Sequence, residues 1–158
     1  MQNIFGRYDV AMDAKGRFPL PAGFRKQLGE GGANQFVINC GFEHSLNLYT
    51  MEVWQVIAKN ISKLNDFNEN QRRLKRLFLD GVSIVEVDSA GRLLLQKHLV
   101  SHAKITKDIV FNAQGNKVEL WDKDTYEAFI SKTAPDYSSI AAQVEAEMGG
   151  SFNPFAID

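Results

Sequence analysis

The feature that most constrains the fold is an internal repeat. Residues 6–24 align with residues 81–99 at a shift of 75, and six of the aligned pairs are identical. Both segments hold Asp-x-x-Gly-Arg between two apolar runs, written "MDAKGR" and "VDSAGR". A second block repeats at a shift of 72, where Leu46, Leu48, Tyr49 and Trp54 meet Val118, Leu120, Trp121 and Tyr126. Each unit has about 45 residues, too few to bury its own apolar face, so two units are predicted to pack around a shared pseudo-twofold axis.

Within each unit the local signals are those of short strands. A β-branched or alternating run stops at the Asp-x-x-Gly turn, where Asp bonds nearby backbone and Gly accepts a positive φ. The chain then returns as a second strand, passes through a short amphipathic stretch and enters two apolar strands. The segments in this order are "YDVAM", "RFPLPAGF", "AGFRKQL", "QFVINC" and "SLNLY" in the first unit, and "SIVEV", "RLLLQKHL", "KHLVSHAKI", "DIVFNA" and "KVELW" in the second. Pro19 and Pro21 restrict the first return strand to an edge or a bend, and the Gly-rich segment 29–34 is predicted to be a turn.

Longer helices are predicted after the last strand of each unit. Thr50 is a suitable N-cap for residues 51–64, in which Val53, Ile57, Ile61 and Leu64 form an apolar stripe. Residues 70–81 continue with Leu74, Leu77 and Phe78 on one side and Gly81 as a stop signal. The second unit has a matching helix at 123–133, and residues 139–148 are predicted to form a weak helix before a loose end.

Length and composition describe a globular protein of 158 residues, with 44% hydrophobic and 23% charged residues. A single cysteine, Cys40, excludes an intrachain disulfide and favours a reducing compartment. The sequence has no apolar run of about 18 residues, so a membrane span is not expected and the cytoplasm is the predicted location. Residues 1–107 carry a net charge of +5 and residues 108–158 a net charge of −6. This asymmetry is typical of a basic working surface beside an acidic remainder.

The first repeat carries most of the positive charge. Residues 7–28 have a net charge of +3, whereas the aligned residues 82–103 have a net charge of zero. Phosphate contacts supply DNA affinity, and Arg side chains that make paired bonds to guanine supply specificity. The leading DNA-contact candidates are therefore Arg17 and Lys15, followed by Arg7, Arg25 and Lys26 as phosphate contacts. In the alternative interpretation, the pairs Asp13–Arg17 and Asp88–Arg92 are only turn salt bridges, and this is favoured for the second pair.

Other charged or reactive residues give weaker signals. The cluster Arg72, Arg73, Lys75 and Arg76 is either a solvated helix face, a phosphate contact or a partner for the acidic half of a neighbouring subunit. His98 and His102 lack the third ligand that a zinc site needs. No catalytic residue, metal or cofactor is predicted, and the chain is not expected to be an enzyme.

Five blocks in this order resemble the MraZ family of bacterial transcriptional regulators, each built from two SpoVT-AbrB units. The blocks are "DAKGRFPLPAGFR", "LNLYTMEVW", "NQRRLKRLFLDG", "DSAGRLLL" and "VELWDKDTYEAF", and the resemblance covers roughly residues 4–130. It implies an α+β, mainly β fold in which tandem units form a swapped-hairpin β-barrel. The boundaries expected are 7–53 and 82–125 for the two units, 54–81 for a helical linker and 126–158 for a C-terminal helix and tail. Phe18-Pro19-Leu20 departs from the family's usual aliphatic-Ser-aliphatic pattern.

The resemblance also implies a function. It points to a ring-shaped homo-oligomer at the nucleoid that binds direct DNA repeats upstream of its own cell division and cell wall operon, usually as a repressor. One alternative is an antitoxin-like module that binds a protein partner, and another is a ring-forming scaffold that does not bind DNA. Antitoxins of this type generally contain one hairpin unit and a disordered arm, so two fused units favour the regulator.

Overall fold

The structure is a computed structural model that describes residues 4–29 and 34–157. The central four residues of the turn predicted at 29–34 therefore lie outside the described residues. The chain divides into two compact units, the first ending at Lys123 and the second beginning at Asp124. The first repeat contains β1 (Ile4–Ala11), β2 (Arg17–Pro19), α1 (Ala22–Leu28), β3 (Gln35–Cys40), β4 (Leu46–Thr50) and α2 (Met51–Ser62). After α3 (Glu69–Leu79), the second repeat contains β5 (Ser83–Glu86), β6 (Arg92–Leu94), α4 (Lys97–Ala103), β7 (Asp108–Gly115), β8 (Val118–Asp122) and α5 (Lys123–Thr133).

The two repeats interdigitate rather than lying side by side. Six strands form one antiparallel sheet in the order β1-β7-β8-β4-β3-β5, and β2 pairs with β6 in a separate two-stranded ribbon. The pairs β1–β7, β4–β8, β3–β5 and β2–β6 each join a strand of one repeat to a strand of the other. The α+β, mainly β fold class is thus confirmed, as is the tandem repeat. The expected β-barrel is not closed within the described residues, because β1 and β5 are the outer strands of an open sheet.

Strand register reveals the pseudo-twofold axis. In the ribbon, Phe18 lies opposite Leu93, which is its own equivalent at a shift of 75. In the large sheet, Asn47 lies opposite Glu119, its equivalent at a shift of 72. A residue that pairs with its own repeat partner must lie beside the axis. The axis therefore passes through the centre of both sheets.

The core of the first compact unit draws on both repeats. Helix α1 buries Phe24 and Leu28, and the equivalent helix α4 buries Leu99 and Ala103. The Phe24 ring lies 4.9 Å from the Phe111 ring, centroid to centroid, in an edge arrangement. Such contacts between repeats bury apolar surface that neither repeat would cover alone, which explains why the strands are exchanged.

The helical segments begin close to where the sequence predicts. Thr50 caps α2 by accepting a hydrogen bond from the Val53 N–H at 3.3 Å, which confirms the predicted N-cap. Asn68 caps α3 by accepting one from the Gln71 N–H at 3.0 Å. The Trp54 and Phe78 rings stack at 6.2 Å and join α2 to α3. Helix α3 ends at Leu79, two residues before Gly81, which has a φ of +70° and where a Cβ would come within 2.6 Å of the His98 ring.

The second compact unit consists of the remainder of α5, a 3₁₀ turn and a further helix. The turn spans Ala134–Asp136, and α6 spans Tyr137–Glu147. Neither α5 nor α6 has a buried residue among those described. Helix α6 contains residues 139–147 of the weak helix predicted at 139–148, and residues 151–157 contain no helix or strand. Within residues 4–29 and 34–157, no helix has the length and apolar character needed to cross a membrane.

Candidate nucleic-acid interface

The turn between β1 and β2 is held together by the Asp13 carboxylate. Asp13 Oδ1 accepts hydrogen bonds from the backbone N–H groups of Lys15 and Arg17, both at 2.9 Å. Asp13 Oδ2 accepts a third from Arg17 Nε at 3.0 Å. The backbone closes the turn through Asp13 N–H to Arg17 O at 2.8 Å and Gly16 N–H to Asp13 O at 3.0 Å. Gly16 adopts a φ of +86°, which the turn requires and which other residues rarely adopt.

The turn between β5 and β6 repeats this geometry. Asp88 Oδ1 accepts from the N–H groups of Ala90 and Arg92 at 2.9 Å, and Asp88 Oδ2 accepts from Arg92 Nε at 3.0 Å. Gly91 takes the place of Gly16 with a φ of +76°. Both predicted turn pairs are therefore present. The identical geometry explains why Asp, Gly and Arg are kept at the same spacing in both repeats.

The fold brings these two turns together. Leu20 N–H donates to Gly91 O at 2.9 Å, and its repeat equivalent Leu95 N–H donates to Gly16 O at 2.8 Å. Arg92 Nη1 also lies 3.8 Å from Asp13 Oδ2, the carboxylate of the other turn. We call residues 13–17 and 88–92 together the two-turn surface. The sequence presents two separate hairpins, whereas the structure joins them through the β2–β6 ribbon.

Arg17 and Arg92 differ in how their guanidinium groups are engaged. Arg17 uses Nε for Asp13, and within the described residues its two Nη groups have no hydrogen bond or ion-pair partner. Arg92 uses Nε for Asp88 and places Nη1 near Asp13. The outer edge of Arg17 is therefore available for paired bonds to an external acceptor, while that of Arg92 is partly occupied. This difference arises although the two turns have the same backbone bonds.

The two turn carboxylates are held in their charged form. Hydrogen bonds from backbone N–H groups, above all that of Arg17, lower the pKa of Asp13 below its usual value. The backbone N–H of Arg92 lowers the pKa of Asp88 in the same way. Both carboxylates therefore remain ionised at neutral pH and keep the two Arg side chains oriented.

The other candidate cations lie in three different places. Lys15 is exposed at the tip of the first turn. Arg25 and Lys26 are exposed on α1, but Arg25 lies beside the second turn, with Nη1 3.0 Å from the position of a Cβ on Gly91. The sequence places Arg25 with the first hairpin, so this position is a finding of the structure. Arg7 lies on β1 and its Nε donates to Asp9 Oδ1 at 3.1 Å.

Asp9 accordingly differs from the turn carboxylates. Its partial burial raises its pKa, but the hydrogen bond and charge of Arg7, helped by Lys123 at 3.5 Å, outweigh this and lower the pKa overall. Arg7 is thus already paired within the sheet. Of the five candidate cations it is the least available to a phosphate group.

The basic cluster of α3 and the histidines His98 and His102 make their hydrogen bonds and ion pairs with residues outside the two-turn surface. In α3, Arg72 Nη1 donates to Asp66 O at 2.9 Å, Arg73 Nη2 pairs with Glu69 at 2.6 Å, and Lys75 Nζ pairs with Asp66 at 3.2 Å. His98 Nε2 bonds Gly81 O at 2.8 Å, and His102 Nε2 bonds Glu43 O at 3.0 Å. These groups have local structural partners.

Comparison with known proteins matches nearly the whole chain to one family. Residues 4–77 and 78–146 each match the family described as "MraZ protein, putative antitoxin-like". The chain is 41% identical to the transcriptional regulator MraZ of Christiangramia forsetii, over 91% of this chain and 94% of the relative. It is 39% identical to that of Cytophaga hutchinsonii, over 86% and 90%, and 34% identical to that of Caldanaerobacter subterraneus, over 90% and 96%. These relatives are named as regulators and not as enzymes.

Proposed function

The chain belongs to the MraZ family, and we propose that it is a transcription regulator that binds specific DNA sequences through the two-turn surface. Its targets would be direct repeats upstream of its own cell division and cell wall operon, which it would repress from the nucleoid in the cytoplasm. In this proposal, units 7–53 and 82–125 form the DNA-binding body, segment 54–81 links them, and 126–158 is a C-terminal helix and tail.

The geometry of Arg17 is the single observation that supports DNA binding most strongly. Asp13 holds Nε, and the two Nη groups have no hydrogen-bond or ion-pair partner among the described residues. A guanidinium held in this way loses little conformational entropy when it makes paired bonds to a guanine. The β2–β6 ribbon is a two-stranded element of the kind that enters a major groove. Lys15 is proposed as the second leading DNA contact, and Arg7, Arg25 and Lys26 are the proposed phosphate contacts around it.

Exposed apolar side chains support the proposed ring. Helix α3 has no buried residue, and Leu77 is 71% exposed. Together with Phe42, Leu74 and Phe78, it lines a cavity of about 440 Å³. A contiguous apolar patch of this kind is typical of a protein interface. Net charge is positive in α3 and negative after residue 107, so a head-to-tail contact between neighbouring subunits would pair opposite charges.

The DNA-binding proposal predicts binding to direct repeats. Identical subunits around a ring present their two-turn surfaces in the same orientation, so repeats should be spaced by one helical turn, about 10 base pairs. We expect the protein to shift a duplex from its own upstream region and to bind it more tightly than a scrambled duplex. The logarithm of the binding constant should fall with the logarithm of the salt concentration, with a slope of about −0.9 per phosphate neutralised. Equal affinity for both duplexes would contradict specific recognition.

The ring proposal predicts that a charge in the α3 cavity breaks the assembly. Leu77→Glu should convert a large single species into smaller ones in light scattering, because a carboxylate would be buried in an apolar contact. Val56→Glu is the matched control, since Val56 is 56% exposed on α2 and does not line the cavity. A wild-type monomer or simple dimer at micromolar concentration would contradict the ring itself.

One observation favours a second function, an antitoxin-like contact with a protein partner. The matched family carries this description, and the second compact unit has an apolar groove of about 400 Å³ lined by Ile130, Tyr137, Ile140, Val144 and Phe152. If this function holds, residues 126–158 would be needed to bind a protein, and truncating them would leave DNA binding intact. A ring that binds no DNA would instead point to a scaffold.

A further inference from the structure

The two turns differ in the cations that their own repeats provide. In the first turn Lys15 is exposed at the tip, whereas its repeat equivalent in the second turn is Ala90. Asp88 and Arg92 cancel each other's charge, so residues 88–92 by themselves carry no net charge. A neutral turn has little attraction for DNA phosphates. From its own residues, the second turn is therefore only a structural copy of the first.

The exchange of strands brings a cation to this turn from the other repeat. Because Leu20 N–H bonds Gly91 O at 2.9 Å, the start of α1 lies against the second turn. Arg25 lies about one turn after the start of α1, and its Nη1 is 3.0 Å from the point that a Cβ on Gly91 would occupy. The backbone N–H of Arg25 donates to Pro21 O at 3.0 Å, whereas its exposed side chain has no hydrogen-bond or ion-pair partner within residues 4–29 and 34–157.

The opposite arrangement does not occur at the first turn. Leu95 N–H bonds Gly16 O, so the start of α4 lies against the first turn in the same way. The residue equivalent to Arg25 on α4 is Val100, which is partly buried against the core. The atoms nearest to the Cβ position of Gly16 belong to Leu94 and Leu95. Each turn thus has one carboxylate-held arginine and one additional cation, but the cation of the second turn comes from the first repeat.

We infer that Arg25 is the phosphate contact of the second turn, and that the second turn is a working part of the DNA-binding surface. This inference rests on the proposed DNA-binding function and refines it. Arg17 and Lys15 act at one turn, while Arg25 acts at the other, across the pseudo-twofold axis. The DNA backbone would therefore be held at two points by each subunit, although only one repeat is strongly basic.

The experiment compares salt-dependent binding of designed variants. Wild type, Arg25→Ala and the control Lys59→Ala are titrated, at several salt concentrations, against a duplex from the protein's own upstream region and a scrambled duplex. Lys59 is exposed on α2, and among the described residues its side chain makes no hydrogen bond or ion pair with either turn. Two double variants add a lysine to the Arg25→Ala background, one in the second turn (Ala90→Lys) and one in the first (Ala14→Lys). Circular dichroism and light scattering check that each variant folds and assembles.

For each subunit that binds DNA, Arg25→Ala should weaken binding to both duplexes about tenfold near 0.1 M salt. It should also reduce the slope of log affinity against log salt concentration by about 0.9 for each such subunit. The ratio of the two affinities should not change, because a phosphate contact carries no sequence information. Ala90→Lys should restore the slope, and Ala14→Lys should not. The inference is overturned if Arg25→Ala behaves like Lys59→Ala, if both lysines rescue equally, or if the ratio falls. If wild type binds both duplexes equally, the proposed specific function fails, while the slopes still test the role of Arg25.

Discussion

Arg17→Ala is expected to abolish the proposed preference for operator DNA while leaving the proposed oligomer intact. A paired Arg–guanine contact is worth about 1–3 kcal/mol of discrimination, so losing it at two engaged repeats reduces specific affinity roughly 30-fold or more. The Arg17–Asp13 pair is partly solvent-exposed, so the Arg17 side chain contributes little to the free energy of folding. The variant keeps the two hydrogen bonds that the Asp13 carboxylate accepts from the backbone N–H groups of residues 15 and 17. Titration against operator and scrambled duplexes, with light scattering of the same samples, measures both effects.

Two matched variants separate recognition from charge. Arg17→Lys keeps the positive charge but loses the planar fork, so it should retain salt-dependent binding and lose most of the preference for the operator. Arg92→Ala removes the same side chain from the second turn, where Nη1 is already near Asp13. It should act mainly on stability or assembly, with the affinity ratio preserved. If Arg92→Ala loses specific binding with an intact ring while Arg17→Ala retains it, the assignment of the two arginines is wrong.

The sequence predicts the local turn contacts of this site, but it does not predict the contacts between the two repeats. Asp13, Arg17, Asp88 and Arg92 are identified by their spacing, because an Asp four residues before an Arg can bond both its backbone and its side chain. Their local geometry depends on a few consecutive residues, and sequence patterns report such contacts well. The strands and helices are predicted for the same reason, including the cap at Thr50.

The contacts between repeats are harder to predict. Arg25 follows the first turn in the sequence, and only the exchange of strands places it beside Gly91. The same holds for Arg92 beside Asp13. The repeat is one signal of these contacts, since Gly16 and Leu20 recur as Gly91 and Leu95. A repeat alone does not reveal whether each Leu bonds the Gly of its own unit or that of the other unit. The Arg7–Asp9 pair is different, because residues two apart on a strand lie on the same face, so this contact could be predicted from the sequence.

Phe18→Ala is expected to cause the largest loss of stability in the β2–β6 ribbon. Phe18 is fully buried and lies opposite Leu93, which is also fully buried, at the pseudo-twofold axis. Because both repeats pack around this point, neighbouring strands cannot close the space without moving both halves. Truncating a buried Phe in such a site costs about 3–5 kcal/mol of the free energy of unfolding. The ribbon also carries the two turns, so the same change should weaken DNA binding by loosening their relative position.

Urea unfolding followed by circular dichroism measures this loss, with all variants at the same protein concentration because the proposed assembly would add to apparent stability. Phe67→Ala is the matched control, since Phe67 is 97% exposed and the change should alter the free energy of unfolding by no more than about 0.5 kcal/mol. Phe18 and Leu93 share one packing site, so the double variant with Leu93→Ala should lose less than the sum of the single losses. Equal losses for Phe18→Ala and Phe67→Ala, or strict additivity of Phe18→Ala and Leu93→Ala, would show that the two repeats do not share a core at this axis.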